Sequence, residues 1–500
     1  MKIYESNTGE YNLVMAYPAV EAFALSSLGY LWLYKIADTK KGINAIRLST
    51  DNISLNTKKV DAISFSMSFD FDYLGVLDIL EKLKIPFCSK DRDESYPLIF
   101  AGGPVLTTNP MPYAAFFDFI ITGDGEDVFN LILDILMMNL PKDETLKKLS
   151  EFDSVYVPVF NNKTVKRASV SLNNVICTPL ISDKSYFKNT FIIEVSRGCM
   201  NRCAFCTASY TNLPYRYYDY EKIIECIELG LKYTNKIALL GAQISAHPRF
   251  NDIMKYIGDK ISSGVNIELG ISSIRTDAIS DDVIKTLVKG GQKHTTIAIE
   301  AASERLRKFL NKNLKEEQIL NAVLTARKNG LKGLKIYSMI GIPTETEADI
   351  SEFLSLAGKI KEDNKGFNIE FSFSTFVPKP QTPLQWSKRE DTKSLEKKQK
   401  YLEKELSKIG VDSKFSSPKW DYWQTVLSRS GKNITPLLIE VHKSGGNLGA
   451  YKSALKHLGI DISKSIEGFD FDETLPWDII KSTPSKEHLI NEFKRLEKRK

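Results

Sequence analysis

The apolar stretch Phe191-Ile-Ile-Glu-Val195 runs directly into Ser-Arg-Gly-Cys199-Met-Asn-Arg-Cys203-Ala-Phe-Cys206. The first part reads as a short buried strand, and the second as a loop with cysteines at C-x-x-x-C-x-x-C spacing. Thiolate sulfur is the donor that holds iron–sulfur clusters. Three thiolates on one loop can hold three irons of a four-iron cube. The fourth iron is then left open, as catalytic zinc sites keep one position open for substrate. No fourth cysteine lies close in sequence: the others are Cys88, Cys177 and Cys226, each isolated. An isolated cysteine is ordinarily a small buried hydrophobe. Three structural cysteines, or a zinc site short of one ligand, are the competing readings of the loop. The third cysteine, the preceding Ser-Arg-Gly and the aromatic Phe205 weigh against both.

The rest of the chain must place that loop at the end of a strand, and its periodicity does so. From Phe191 the sequence alternates six strand signals (191–195, 236–240, 265–270, 295–299, 333–340, 368–376) with helical patterns (220–231, 250–261, 281–288, 315–328, 347–361). Catalytic groups of β/α barrels sit at the carboxyl ends of the strands, and the cysteine loop follows the first one. The first 165 residues alternate in the same way, with strands expected at 11–17, 43–48, 60–66, 98–101 and 119–122. This pattern predicts an open parallel α/β sheet. Two of its strands end in glycine turns, Gly102-Gly103-Pro104 and Gly123-Asp-Gly125-Glu126, where ligands of such sheets bind. The competing reading is a pair of tight turns that need glycine for their backbone alone.

The cysteine loop resembles the cluster motif of the radical S-adenosylmethionine (radical SAM) enzymes. That resemblance implies one [4Fe–4S] cluster on Cys199, Cys203 and Cys206. It also implies SAM chelating the fourth iron, and an electron from a reductant such as flavodoxin or ferredoxin that splits SAM to a 5′-deoxyadenosyl radical. It further implies a partial (β/α)6 TIM-type barrel and SAM contacts from Phe205, Gly241 and Gln243 after the second strand. Ser273 and Arg275 after the third strand, Glu300 after the fourth, and Gly341 and Pro343 after the fifth complete the implied SAM site. The first 165 residues resemble the cobalamin-binding, Rossmann-like domain found in some of these enzymes. There Gly102, Gly103, Gly123 and Gly125 would border the cobalamin, and methyl transfer to an unactivated carbon would be the reaction. One departure bears on this. Many such domains carry Asp-x-His-x-x-Gly, whose histidine ligates cobalt, yet the five histidines here (247, 294, 442, 457, 488) all lie beyond residue 246. Histidine-ligated cobalamin in this domain is excluded; cobalamin held without that ligand, and no cobalamin at all, both stay open. Radical modification or rearrangement of a small molecule or tRNA is the alternative activity. A non-catalytic iron–sulfur or nucleic-acid-binding scaffold is the alternative outside enzymology.

The expected organisation is a Rossmann-like domain over 1–165, a linker over 166–190 marked by Asn161-Asn162, Asn173-Asn174 and Ser182-Asp-Lys-Ser, a radical SAM core over 191–386, and a small, mainly helical C-terminal domain over 387–500. The loop Phe376-Val-Pro-Lys-Pro-Gln381-Thr-Pro-Leu-Gln-Trp386 carries three prolines and reads as an ordered loop near the barrel mouth. A related family motif has histidine where Gln381 stands. No apolar run reaches the ~18 residues of a membrane span and no signal core opens the chain, so a cytoplasmic location is expected. A methylthiotransferase would need a second cysteine trio in the N-terminal domain, and six cysteines in this arrangement do not supply one. The net charge of +6 is mild, and an RNA partner is the less favoured reading of the lysine-rich last 110 residues.

Overall fold

The computed structural model of the 500-residue chain describes residues 1–53, 55, 59–160, 164–481 and 483–499. Asn161 and Asn162, which helped to mark the linker, lie outside the described residues. Strands β1 (Tyr11–Tyr17), β2 (Ile43–Ser49), β3 (Ala62–Ser66), β4 (Leu98–Gly102), β5 (Phe119–Ile121) and β6 (Val155–Tyr156) form one sheet in the order β2-β1-β3-β4-β5-β6. The first five are parallel and β6 is antiparallel. Order 2-1-3-4-5 is the flavodoxin-type doubly wound arrangement, whose ligand crevice opens where the chain reverses direction across the sheet. β1 is buried on both sides, which is why Leu13-Val-Met-Ala16 reads as a continuous apolar run rather than an alternating one. On one face Leu13, Met15 and Phe100 pack against Tyr30, Phe129 and Leu133 of helices Leu28–Thr39 and Glu126–Leu136.

The other face has an unexpected cover. Val14, Phe65 and Tyr73 pack with Trp423, Leu427, Leu438 and Tyr451 from helices Pro418–Arg429, Thr435–Lys443 and Leu448–Leu458. Tyr73 and Tyr451 share a buried hydroxyl–hydroxyl hydrogen bond of 2.6 Å. These C-terminal helices bury a face of the N-terminal sheet rather than a core of their own.

The second sheet starts at β8 (Thr190–Glu194); β7 (Val165–Lys166) precedes it. The hairpin pair β9 (Ser196–Arg197) and β10 (Arg216–Tyr217) brackets the cysteine loop. β8, β11 (Lys236–Leu240) and β12 (Glu268–Ile271) run parallel, as do β13 (His294–Glu300), β14 (Gly333–Ile340), β15 (Asn368–Thr375) and β16 (Asp412–Phe415). The Ile274 N–H donates to Thr296 O at 3.0 Å, linking the two groups. Two additions go past six strands. β16 lies beyond residue 386 yet pairs parallel with β15. Linker residues 176–178 run antiparallel to β8, with Glu194 N–H on Ile176 O and Thr178 N–H on Ile192 O, both 2.9 Å. β17 (Ile480–Lys481) pairs with β7, so the end of the chain returns to the linker.

Alternation along the barrel strands sorts the two faces. Ile297, Ile299, Ile336, Phe371 and Phe373 are buried in the core, while Thr296, Ala298, Lys335, Tyr337, Glu370 and Ser372 take the opposite face and stay partly exposed. A parallel sheet with both faces sealed would read as unbroken apolar runs. Here one face is polar and accessible, and it belongs to the strands whose ends carry the candidate site.

A candidate active site at the strand ends

The cysteine loop leaves β8 through Gly198, whose φ of +81° and close approach to Asn212 O (2.3 Å from a would-be Cβ) require glycine. The Ala204 N–H donates to Leu310 O at 2.9 Å, and Leu384 N–H to Ala204 O at 3.2 Å. The loop is thus pinned between the segment after β13 and the proline-rich loop 376–386. Cys199 and Cys203 are buried and Cys206 is half-buried. Burial pushes the Cys203 thiol up to about 12, offset in part by Lys312 and reinforced by Cys206, Glu300 and Cys199. Burial also raises Cys206, against backbone N–H groups of Ser209 and Ala208 that face its sulfur. Thiols in such a setting ionise when a cation compensates them, which is the donor chemistry of a metal cluster. Among the described residues no three Cys, His, Asp or Glu side chains are already gathered as metal ligands. The fit therefore rests on three sulfurs held on one loop, two of them buried and the third, Cys206, facing backbone N–H groups.

The neighbouring strand ends place the other expected residues. Gln243 Oε1 accepts from Asn201 Nδ2 and, at 3.3 Å, from the Cys199 thiol, so it braces the loop. A Cβ on Gly241 would stand 2.8 Å from Ser196 Oγ; the turn after β11 packs directly on β9. Ser273 is exposed at the end of β12. Arg275 is mostly buried and pairs with Asp277 at 2.6 Å. Glu300 ends β13 at a bulge, with φ +69°. A non-glycine residue held in that region costs roughly 1–3 kcal/mol and marks a functional constraint. Its carboxylate receives Lys312 Nζ at 2.9 Å, both side chains only 12% exposed. Burial works to lower the Lys312 ammonium, but Glu300 and Cys203 leave it raised, with Arg275 opposing. Lys312, invisible as a motif, therefore joins Cys203, Glu300 and Arg275 in one electrostatic group.

Phe205 packs on a cluster with Ala301, Met339, Ile342 and Phe376. At the end of β14, Gly341 (φ +77°) does not offer a free N–H: it donates to Glu345 Oε2 at 2.8 Å. Burial raises the Glu345 carboxyl although Lys398 approaches it at 2.7 Å. Pro343 follows, partly exposed. Gln381 is buried and accepts from Arg167 Nη1 at 2.5 Å while donating to Thr107 and Thr108 carbonyls. It cross-links three segments.

Across from the loop, the N-terminal sheet carries a cavity of about 310 Å³ at its strand ends, bordered by Tyr30, Ser66, Gly102, Gly103, Gly123 and Gly125. Two of the glycines have backbone reasons of their own. A Cβ on Gly103 (φ +121°) would meet Met67 O at 2.3 Å, and one on Gly123 (φ +88°) would meet Ala168 O at 2.3 Å. Arg197, two residues before Cys199, reaches across to Asp124 (3.1 Å) and Glu126 (2.7 Å) as well as Glu194 (2.8 Å). These carboxylates hold its guanidinium well above the usual range against burial. The turn Gly123–Glu126 is thus clamped to the cluster loop. A second cavity of about 210 Å³ lies between Ser68, Pro104, Thr207, Lys379, Gln424 and Ser428. In its wall Asp70 takes Lys379 at 2.6 Å and Gln424 at 3.1 Å. Nearby, burial pushes the Asp72 carboxyl up to about 6 despite N–H donors from Ser68 and Phe69. The cleft next to Thr207, one residue past Cys206, is walled in part by the helix Pro418–Arg429.

The N-terminal cavity is bordered by glycines, and its lining contains no histidine or cysteine. Its volume is at the low end for ligand pockets and holds part of a corrinoid only. Among the described residues no helix is long and apolar enough to cross a membrane.

Comparison with known proteins matches the family described as "Radical SAM proteins, N-terminal" at residues 36–158 and "Radical SAM superfamily" at residues 193–357. An uncharacterised protein of Methanocaldococcus jannaschii is 30% identical over 385 residues, covering 76% of this chain and 80% of that protein. An uncharacterised methyltransferase of Pyrococcus horikoshii is 25% identical over 331 residues, covering 62% and 69%. Among solved structures, the cobalamin-dependent S-adenosylmethionine radical enzyme OxsB, with aqua-cobalamin and S-adenosylmethionine bound, aligns with a TM-score of 0.56. The alignment covers 91% of this chain and 71% of that one at 12% identity, a likeness of fold.

Proposed function

We propose, since this chain belongs to the radical SAM superfamily, that it holds a [4Fe–4S] cluster on Cys199, Cys203 and Cys206 and cleaves SAM reductively at the barrel mouth. The observation that carries this is the three-cysteine loop at the end of β8, with Lys312 close enough to act on the Cys203 thiol. A bound cluster supplies the electron that breaks a carbon–sulfur bond of SAM and yields the 5′-deoxyadenosyl radical. The chain's own residues bind and orient. Arg275 and Lys312 present positive charge to the SAM carboxylate. Glu300 takes ribose hydroxyls or a basic substrate group. Phe205 with Ile342 and Phe376 offers an apolar shelf for the adenine, beside the Gly341–Pro343 turn. Gln243 and Gly241 keep the loop in place, and Ser273 stands at the rim. The proline-rich loop and Trp386 help to keep water from a radical that would react with it.

Arg275→Ala is expected to weaken SAM binding while leaving the cluster spectrum unchanged. A charge-assisted hydrogen bond contributes roughly 1.5–3 kcal/mol, which is roughly 10- to 150-fold in affinity. Equilibrium dialysis of the reconstituted protein measures this, and an unchanged affinity would return Arg275 to the ion pair with Asp277 as its sole role.

A second reading, cobalamin-dependent methyl transfer to an unactivated carbon, is favoured by one observation: the 2-1-3-4-5 sheet with a cavity at its strand ends. Gly102, Gly103, Gly123 and Gly125 would border the corrinoid, which would supply a methyl group. One experiment separates the readings. Anaerobically reconstituted protein with SAM and dithionite is expected to release 5′-deoxyadenosine; no release sinks both. Cobalamin added to the same sample is expected to show, in its cob(II)alamin form, no splitting from a protein nitrogen in electron paramagnetic resonance. Such splitting would contradict a histidine-free site, and failure to bind cobalamin would leave radical modification without cobalt.

A further inference from the structure

Behind the cysteine loop lies a cavity of about 380 Å³, bounded by the linker after β7, the loop Thr211–Pro214, Arg216 and β17. Its walls carry four cations, Lys166, Arg167, Arg216 and Lys481, against one carboxylate, Asp124. That carboxylate is already shared between Arg216 at 2.7 Å and Arg197 at 3.1 Å. Lys166 and Lys481 stand side by side in the β7–β17 pair, an arrangement that destabilises a sheet by like-charge repulsion. Lys166 has Asp153 at 2.8 Å; among the described residues Lys481 has no carboxylate partner. Among the described residues Arg167 donates only to neutral oxygens: Gln381 Oε1 at 2.5 Å, Tyr210 O at 3.2 Å and Thr483 O at 2.6 Å. Burial pushes its guanidinium down to about 10. Buried charges are normally paired, and a cavity walled by uncompensated cations attracts an anion of matching size.

We propose that this cavity is an anion site that takes a phosphate group of the substrate. Arg167 and Lys481 supply the free charge, and the Asn212 side-chain amide supplies a neutral donor. Arginine recognises phosphate through a planar fork and lysine as a point charge. The volume, near the lower bound for ligand pockets, suits a phosphate with an attached sugar. Arg307, Arg389 and Arg429 also donate to backbone carbonyls, but they are fully buried. Arg167 differs in standing on a cavity wall beside three more cations. The site adjoins the cluster loop, since Thr211 Oγ1 donates to Thr207 O at 3.0 Å, one residue past Cys206. The proposal stands on the charge of the cavity and deepens the functional reading only in naming the substrate class. Its test needs neither cluster nor SAM.

Isothermal titration of the full-length protein with inorganic phosphate, ribose 5-phosphate and a short RNA oligonucleotide tests it. Millimolar or tighter binding of at least one ligand is expected. Lys481→Ala, which removes an exposed side chain and spares the fold, is expected to weaken binding about tenfold, equivalent to about 1.4 kcal/mol. Arg167→Met is expected to weaken it further. Binding of phosphate or ribose 5-phosphate that falls in Lys481→Ala identifies a small phosphorylated substrate. Binding of the oligonucleotide alone, with the same loss, identifies an RNA backbone. No binding of any of the three, or binding untouched by Lys481→Ala, overturns the site. A folded Arg167→Met protein that binds as well as the parent does so too.

Discussion

Cys203→Ala is expected to abolish both the cluster and reductive SAM cleavage. Iron should fall from about four per chain to near zero after anaerobic reconstitution, and 5′-deoxyadenosine should fall below detection. The reason is count and place. With three thiols on the loop and no other cysteine beside it, removing one leaves two, which cannot complete three corners of a cube. Cys203 is the central thiol, buried and electrostatically joined to Cys199, Cys206, Glu300 and Lys312. Alanine fills part of the same space, so the fold should lose only about 1 kcal/mol, the typical cost of a point substitution. Cys88→Ala and Cys177→Ala serve as controls and should keep the full iron content. The assignment fails if the Cys203 variant, or a triple variant lacking Cys199, Cys203 and Cys206, retains the cubane absorbance and paramagnetic signal.

That loop was legible because thiol spacing and an apolar strand are local signals. The strands were legible for the same reason: β11 and β14 span the residues expected, 236–240 and 333–340. The structure adds what only distant contacts decide. Asp412-Ser-Lys-Phe415 has too few residues and too much charge to read as a strand, yet it pairs with β15 because the Thr392–Ile409 helix delivers it there. Residues 387–500 were expected to form a small helical domain; Trp423, Leu438 and Tyr451 of that stretch pack with Val14 and Phe65, some 400 residues earlier. Periodicity identifies an apolar face and leaves its partner unnamed. Lys312 carried no motif, and its placement depends on the left-handed turn at Glu300 and on the chain after it. Gly103 and Gly123 were read as cofactor contacts or tight turns. The close approach of Met67 and Ala168 backbone accounts for both residues as turns, while the cavity beside them leaves room for a ligand.

Arg197→Met is the second large effect, expected in stability and in the coupling between the two sheets. Arg197 was legible only as part of Ser-Arg-Gly before the first cysteine. In the structure its guanidinium meets three carboxylates, from Glu194 on its own side and Asp124 and Glu126 on the other. All four side chains are between 12% and 17% exposed. Methionine keeps most of the volume and removes the charge. Removing one member of a buried ion network costs about 3–5 kcal/mol, because the remaining charges stay desolvated without compensation. Residual exposure, and Arg216 on Asp124 at 2.7 Å, favour the lower end, about 3 kcal/mol. For a cooperative unit of ~150–250 residues that lowers the melting temperature by roughly 6–12 °C. The loss should fall mainly on the contact between the Gly123–Glu126 turn and the cluster loop. Faster amide hydrogen exchange is therefore expected at residues 123–127 and 196–199, with little change in β14 and β15. Arg197→Lys should recover part of the loss through its point charge but not the fork geometry. Adding Glu194→Gln to Arg197→Met should recover part as well, since it removes one of the stranded charges; the double-mutant cycle reads that coupling directly. A melting temperature within a degree of the parent, with exchange unchanged on both sides, would mean that packing alone joins the two sheets. The arginine beside the cysteines would then act on the loop and not on the sheet opposite.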